Sequence, residues 1–263
     1  MDNHLILTLG RSGSNFLVDL INQHPNLLNY GEVLGEWMPV RRLQRGIGAF
    51  RNEDAAWLDF LLGNAIAFYG AQSIRAANHL RRGRRPTIKS RKTVASLGIK
   101  EFSINLQRFR LENYLEERSR IKVISLRRLS VLDRTISYLM LDKTNVVAAD
   151  KNEKIGKRTP ITIEPERFTM AIKVVAEENA ALEDMTSALP AERVHRLTYE
   201  GMFENPDSLS QWANDLYRFL GADYFEPQIR TRKILSPDPA EVIENFAECR
   251  NAAEQAGYGK LLL

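Results

Sequence analysis

The amino-terminal part of the chain begins with a short apolar run and continues into a stretch with helical periodicity. Residues 5–9 are nearly all apolar and end at Gly10, which predicts a strand buried on both faces. After the polar turn 11–15, apolar residues recur at positions 16, 17, 20 and 21, and His24-Pro25 ends that pattern. The order predicted here is strand, turn, helix.

The same alternation continues along the chain. It predicts strands at 97–100, 121–126 and 194–197, and helices at 53–80, 131–139 and 207–220, the last ended by Gly221. Residues 143–160 are Lys-rich and weakly apolar, which indicates a loop or lid. Strands that alternate with helices predict an α/β fold, a parallel β-sheet flanked by helices.

Composition narrows the class of protein. A chain of 263 residues with 44% hydrophobic and 27% charged residues predicts a globular protein with one domain, 1–263. The single cysteine, Cys249, excludes an internal disulfide framework and favours a reducing compartment. The start lacks a charged leader and no apolar stretch reaches about 18 residues, so we expect a cytoplasmic protein without a membrane span.

The turn after the first strand is the first candidate for chemistry. Small residues in Arg11-Ser12-Gly13-Ser14-Asn15 allow backbone N–H groups to converge on an anion at the start of the following helix. The Walker A motif needs Lys and then Ser or Thr after its last glycine, and Gly13 is followed by Ser14 and Asn15. This argues against an ordinary ATP or GTP enzyme, while a plain capped turn remains the alternative.

Several blocks resemble one enzyme family. They are 9–17 (LGRSGSNFL), His24-Pro25-Asn26, Gly31-Glu32, Gly98-Ile99-Lys100, Tyr199-Glu200, Phe219-Leu220-Gly221 and Glu244-Asn245-Phe246. In order and spacing the chain is similar to sulfotransferases that use 3′-phosphoadenosine-5′-phosphosulfate (PAPS), and within them to the bacterial carbohydrate branch that modifies rhizobial nodulation factors. The resemblance implies a P-loop-like turn that binds the phosphosulfate group.

The resemblance assigns the two ends of the donor. Arg11, Ser12, Gly13, Ser14 and Asn15 would bind the 5′-phosphate and the sulfuryl oxygens, with Arg11 supplying charge to the transferred group. Phe16 lies where relatives place an aromatic ring near adenine, although a core position is the alternative. A sulfuryl group carries less charge than a γ-phosphate and no carboxylate cluster is evident, so we expect no metal.

The family's 3′-phosphate site is an arginine followed eight residues later by a serine. Ser137 fits the serine, but the position eight residues earlier is Leu129, so Arg128 or another basic residue would take the phosphate. Arg232 and Lys233 lie where relatives carry a loop near that phosphate. A solvated arginine and a helix serine bonded to its own backbone are the alternative.

A base must accept the proton of the acceptor hydroxyl. The resemblance favours Glu32 of the Gly-Glu block, with Glu36 as the alternative and His24 as a third candidate. The alternative for either glutamate is a purely structural role, as the partner of Arg41 or Arg42 in a loop ion pair.

A basic stretch follows the predicted helix 53–80 and contains Arg81, Arg82, Arg84, Arg85, Lys89, Arg91 and Lys92. It fits attraction of an anionic glycan or donor, a polyanion-binding surface, or a solvated loop. No nucleic-acid recognition motif surrounds it, so no nucleic-acid partner is expected. The predicted function is sulfuryl transfer from PAPS to a hydroxyl of a small-molecule or glycan acceptor. The two alternatives are a small-molecule kinase of related fold and a non-catalytic polyanion-binding protein.

Overall fold

Five strands form one sheet in which every neighbouring pair is parallel. The computed structural model describes residues 1–81, 83, 87–144, 160–203, 208–229 and 238–262. The strands in this part of the chain are β1 (Asp2–Thr8), β2 (Leu27–Asn29), β3 (Ser96–Phe102), β4 (Ile121–Arg127) and β5 (Val194–Thr198). Their order across the sheet is β2-β3-β1-β4-β5. The predicted α/β class with a parallel sheet flanked by helices is confirmed.

Helices connect and cover these strands. Those of the described residues are α1 (Ser14–Gln23), α2 (Pro39–Gly46), α3 (Asp54–Gly63), α4 (Ala65–Arg81), α5 (Ser103–Arg108), α6 (Tyr114–Glu117), α7 (Val131–Thr144), α8 (Pro165–Ser187), α9 (Tyr199–Phe203), α10 (Ser208–Phe219) and α11 (Phe246–Gln255). Among the described residues, no helix combines the length and the apolar character needed to cross a membrane.

Both faces of the sheet are buried, which explains the continuous apolar run of β1. Leu5 and Leu7 pack in a cluster with residues of α3 and α4. Ile6, whose side chain points to the opposite face, packs in a cluster with residues of α1 and α10. A third cluster joins α7, α8 and α11 beside the sheet.

The sheet order predicts a ligand-binding crevice beyond the end of β1. After β1, the chain forms β2 and β3 on one side of that strand. It then crosses over and forms β4 and β5 on the other side. In open parallel sheets, ligands bind beyond the carboxyl ends of the strands where the winding direction reverses. The segments that follow Thr8, Phe102 and Arg127 therefore meet at one edge.

One predicted element needs correction. The single helix predicted at 53–80 is two helices, because Asn64 has an extended backbone (φ −89°, ψ 136°) and its side chain accepts a hydrogen bond from the Ile66 N–H at 2.7 Å. Ile66, an apolar residue within the predicted helix, is 79% exposed. The structure also contains β2 and the long helix α8, which the pattern did not predict. Most of the loop predicted at 143–160 lies outside the described residues.

Candidate functional site

The turn between β1 and α1 has the backbone of an anion-binding loop. Arg11 and Gly13 both have positive φ, 67° and 80°, and Gly13 is the N-cap residue of α1. The first turn of α1 contains no acidic residue and Gly13 makes no side-chain cap, so the positive end of the helix dipole is uncompensated by side chains. The hydroxyl of Ser12 is fully buried and has no hydrogen-bond partner. A buried, unsatisfied donor at a helix start is the environment that an anion would complete.

Helix α7 fixes this turn from the other side. The Arg11 Nε donates to the Ser137 Oγ at 2.8 Å, and Ser137 is buried. Arg134 donates from its Nε to the Gly10 carbonyl at 2.9 Å and is itself held by the α8 carboxylate of Glu178. The two residues that the sequence assigned to opposite ends of the donor, Arg11 and Ser137, are therefore in direct contact.

A lysine and a glutamate form a second, adjacent cluster. Lys100 near the end of β3 is 2% exposed, and its Nζ lies 2.5 Å from Glu32 Oε1 and 3.1 Å from Asn15 Oδ1. The loop that carries Glu32 follows β2 and is aligned along β3, since the Lys100 N–H donates to the Gly31 carbonyl at 2.9 Å. Lys100 thus connects the predicted base to the first turn of α1.

Glu101, the next residue of β3, points to the other face and anchors the same loop. Its Oε1 accepts hydrogen bonds from the Val33 and Leu34 N–H groups at 2.6 and 2.7 Å, and its Oε2 accepts from the Asn105 amide. Burial raises the pKa of Glu101, although these three hydrogen bonds oppose the shift. Glu101 therefore sets the position of the loop that presents Glu32.

The other two base candidates lie in different surroundings. Glu36 forms an ion pair with exposed Arg45 at 2.5 Å, not with Arg41 or Arg42. His24 is buried at the end of α1, where its Nδ1 accepts from the Asn26 N–H and its Nε2 lies 3.1 Å from the Asp223 carbonyl. Both ring nitrogens of His24 are occupied by backbone groups, which is the pattern of a structural histidine.

Arg128, directly after β4, is buried against the ring of Tyr199. Its guanidinium carbon lies 4.4 Å from that ring centroid, and its Nη2 donates to the Asp133 carboxylate at 2.6 Å. The Nε of Arg128 has no hydrogen-bond partner. Leu129 is instead exposed, and its N–H donates to the Glu200 carboxylate at 2.9 Å. The Tyr199-Glu200 block at the start of α9 thus fixes the end of β4, and Arg128 is the arginine of this turn that faces inward.

Tyr199 also limits the space at the anion-binding turn. A Cβ added at Gly13 would lie 2.8 Å from Tyr199 Cδ2. Burial raises the pKa of Tyr199, so the ring stays neutral over the ordinary pH range. Phe16 is buried against Phe203 and Trp212, with ring centroids 4.8 and 6.4 Å away, in the manner of a core aromatic.

Some predicted residues are outside this arrangement. Arg232 and Lys233 lie outside the described residues, as do Arg82, Arg84 and Arg85. Lys89 is not a solvated loop residue, because its Nζ is buried and donates to the Asn22, His24 and Leu27 carbonyls. Burial lowers the pKa of Lys89 to about 7. In the described ranges there is no group of three or more His, Cys, Asp or Glu side chains placed to hold a metal.

Comparison with known proteins gives a structural likeness only. No protein-family model matches the chain, and no curated protein sequence matches it. The sulfotransferase domain of the Synechococcus PCC 7002 olefin synthase is similar over 98% of this chain and 95% of that domain, with 16% identity and a TM-score of 0.46. The sulfotransferase domain from the curacin biosynthetic pathway has 16% identity and a TM-score of 0.44, over 98% of both chains. A sulfotransferase from Alicyclobacillus acidocaldarius has 14% identity and a TM-score of 0.42, over 97% of this chain and 96% of that one. Likeness of this degree assigns no function.

Function must therefore be argued from the side chains, and several of these were missed in the sequence. The sequence motifs include Lys100 only in the short block Gly98-Ile99-Lys100, and they assign no role to Glu101 or Arg134. Two adjacent charges, Lys100 and Glu101, inside an otherwise apolar strand are the signal that could have found them, since buried charges need partners.

Proposed function

We propose that the chain is a PAPS-dependent sulfotransferase that transfers a sulfuryl group to a hydroxyl of an acceptor, and that the acceptor is a carbohydrate, as the nodulation-factor resemblance implies. The observation that carries the proposal is the meeting of two clusters at one sheet edge. One is the anion-binding turn of Arg11, Ser12 and Gly13. The other is the Lys100–Glu32 ion pair beside the same helix start.

The turn holds the phosphosulfate end of the donor. Backbone N–H groups at the start of α1 and the Ser12 hydroxyl supply hydrogen-bond donors, and Arg11 supplies a full positive charge. In-line transfer of a charged group needs positioning and stabilisation of charge on its oxygens more than covalent help. No divalent metal is part of the proposal, because these cationic groups and backbone donors meet the charge that develops.

The 3′-phosphate is assigned to Arg128 and Ser137. Arg128 retains an unsatisfied Nε, and its orientation is fixed by the Tyr199 ring and by Asp133. Ser137 already bonds Arg11, which joins the residues proposed for the two ends of the nucleotide. Arg232 and Lys233 remain proposed contacts from the resemblance.

Glu32 is the proposed base. Its carboxylate accepts the proton of the acceptor hydroxyl while the acceptor oxygen bonds to sulfur and the bond from sulfur to the donor's 5′-phosphate oxygen breaks. Lys100 orients Glu32 through the ion pair. Glu36 is the less favoured candidate because both Glu36 and its partner Arg45 lie closer to solvent.

The one cysteine, Cys249, is buried and forms no disulfide, which supports a reducing, cytoplasmic setting.

Isothermal calorimetry tests the donor assignment. The product 3′-phosphoadenosine-5′-phosphate should bind much more tightly than ADP, because only the former carries the 3′-phosphate that Arg128 and Ser137 would hold. At a hundredfold excess over its Kd it should stabilise the fold by about 3 kcal/mol in a thermal unfolding assay. Equal affinity for the two nucleotides would contradict the assignment, and tighter binding of magnesium ATP would favour a kinase.

A further inference from the structure

Helix α4 turns an apolar face toward solvent. Ile66, Ile74 and Leu80 are 79%, 60% and 63% exposed, and Tyr69 is exposed between them. The spacing of these positions lies along one side of a helix, and exposed small residues at 70, 73 and 77 fill the same side. Phe68 on the opposite side is fully buried in the core. The apolar face is therefore additional to the face that anchors α4.

Cations border this face at both ends. Arg91 and Lys92 line one surface cleft together with Tyr69 and Met1, and the Arg91 N–H lies 3.5 Å from the Tyr69 hydroxyl. At the other end, exposed Arg81 directly follows Leu80. Apolar side chains and positive charges thus form one surface, which we call the α4 surface.

Charge along the sequence is segregated in the same region. The whole chain has 37 Lys and Arg against 33 Asp and Glu. Residues 65–92 contain eight of these cations and no Asp or Glu, so the rest of the chain has 29 cations against 33 acids. Lys89 is buried and does not belong to the surface, but the other seven cations still concentrate the positive excess of the protein in the segment that carries the exposed apolar face.

We propose that the α4 surface binds the surface of an anionic phospholipid bilayer. A second copy docking through the same face would bring two acid-free, cationic segments together, which like-charge repulsion disfavours. Nucleic acid would use the cations and leave Ile66 and Ile74 without a role. A bilayer of anionic lipid satisfies both features, because aliphatic side chains enter the acyl boundary while Arg and Lys remain among the head groups.

The α4 surface lies near the amino-terminal end of β1, whereas the candidate site lies beyond the carboxyl end of the same strand. The cleft that contains Tyr69, Arg91 and Lys92 is also lined by Met1 and Asn3, at the start of β1, whereas the site lies beyond the end of β1. Binding through α4 therefore leaves the crevice accessible, and the proposal does not depend on which reaction the site performs.

Vesicle sedimentation tests the proposal with the 263-residue chain. Vesicles of equal parts phosphatidylcholine and phosphatidylglycerol should bind it, and vesicles of phosphatidylcholine alone should not. The double variant Ile66→Glu with Ile74→Glu should reduce partitioning by roughly tenfold or more, and so should Arg81→Glu with Lys92→Glu. Met170→Glu, at a position 68% exposed on α8, is the matched control and should partition as the wild type does.

Each contrary result overturns the proposal. Failure of the wild-type protein to bind anionic vesicles would do so directly. Binding that survives Ile66→Glu with Ile74→Glu would show attraction of charge alone, as for a polyanion-binding surface. A dimer that dissociates on these substitutions, seen by analytical ultracentrifugation without vesicles, would identify a second copy as the occupant. Circular dichroism melting of every variant separates these outcomes from unfolding, which is not expected at such exposed positions.

Discussion

Replacing Glu32 by glutamine separates a catalytic base from a structural ion-pair partner. Lys100 is 2% exposed and Glu32 16% exposed, so the substitution leaves a buried ammonium without its counter-charge. Removing one partner of a buried pair destabilises a fold by about 3–5 kcal/mol. Since the new amide and Asn15 still accept hydrogen bonds, we expect a loss of about 2–3 kcal/mol in the free energy of unfolding for Glu32→Gln. For Glu36→Gln, whose partner Arg45 is exposed, we expect about 0–1 kcal/mol.

Turnover gives the second readout. An amide cannot accept the acceptor proton, so Glu32→Gln should lower turnover by roughly a hundred- to ten-thousandfold, with little change in product-nucleotide affinity. Glu36→Gln should remain active. Adding Lys100→Met to Glu32→Gln removes the uncompensated ammonium, which should restore part of the stability without restoring turnover.

Urea unfolding and initial rates on one acceptor decide between the two roles. If the double variant of Glu32 and Lys100 regains turnover together with stability, Glu32 acts only as a partner for Lys100. If Glu36→Gln is the inactive variant while Glu32→Gln turns over normally, the base is Glu36. Activity in both single variants would exclude both glutamates as the base, and His24 would not replace them because both of its ring nitrogens bond backbone groups.

Three further predictions follow from single contacts. Arg11→Ala should lower turnover by about a hundredfold or more with an unchanged circular dichroism spectrum, and a near-normal rate would make Arg11 a turn residue only. Gly13→Ala should destabilise the fold by about 2–4 kcal/mol, from its φ of 80° and its approach to Tyr199. An equal loss in a Tyr199→Leu background, measured by urea unfolding, would refute that contact. Burial lowers the pKa of His4 from 6.5 to about 3, so the unfolded chain binds more protons as pH falls through 6.5. His4 should therefore contribute a drop in stability of about 2 kcal/mol between pH 7 and pH 5, and the drop should be smaller by that amount in His4→Asn, because His24 and His195 also have lowered pKa values and keep their own contributions. Parallel pH profiles of the two proteins would contradict this.

The pattern of apolar and polar residues along the sequence was sufficient to predict most of the strands. The strands now seen as β1, β3, β4 and β5 were predicted from short runs that contain apolar or β-branched residues, and helices α1, α7 and α10 were predicted from helical periodicity. β2 has only three residues, which is too short for a period to be visible. The break between α3 and α4 depends on the backbone of Asn64, and a helical pattern that runs through position 64 does not reveal it.

The sequence alone determined the class of fold and the position of the anion-binding turn, because the turn consists of adjacent residues between one strand and one helix. Only the tertiary structure decided the partners across the site. Arg11 meets Ser137 across 126 positions of sequence, and Lys100 meets Glu32 across 68. These contacts arise because parallel register brings the carboxyl ends of distant strands to one edge, with α7 packed behind the first turn. That register depends on packing of the whole sheet, so no local pattern of residues specifies which lysine faces which glutamate.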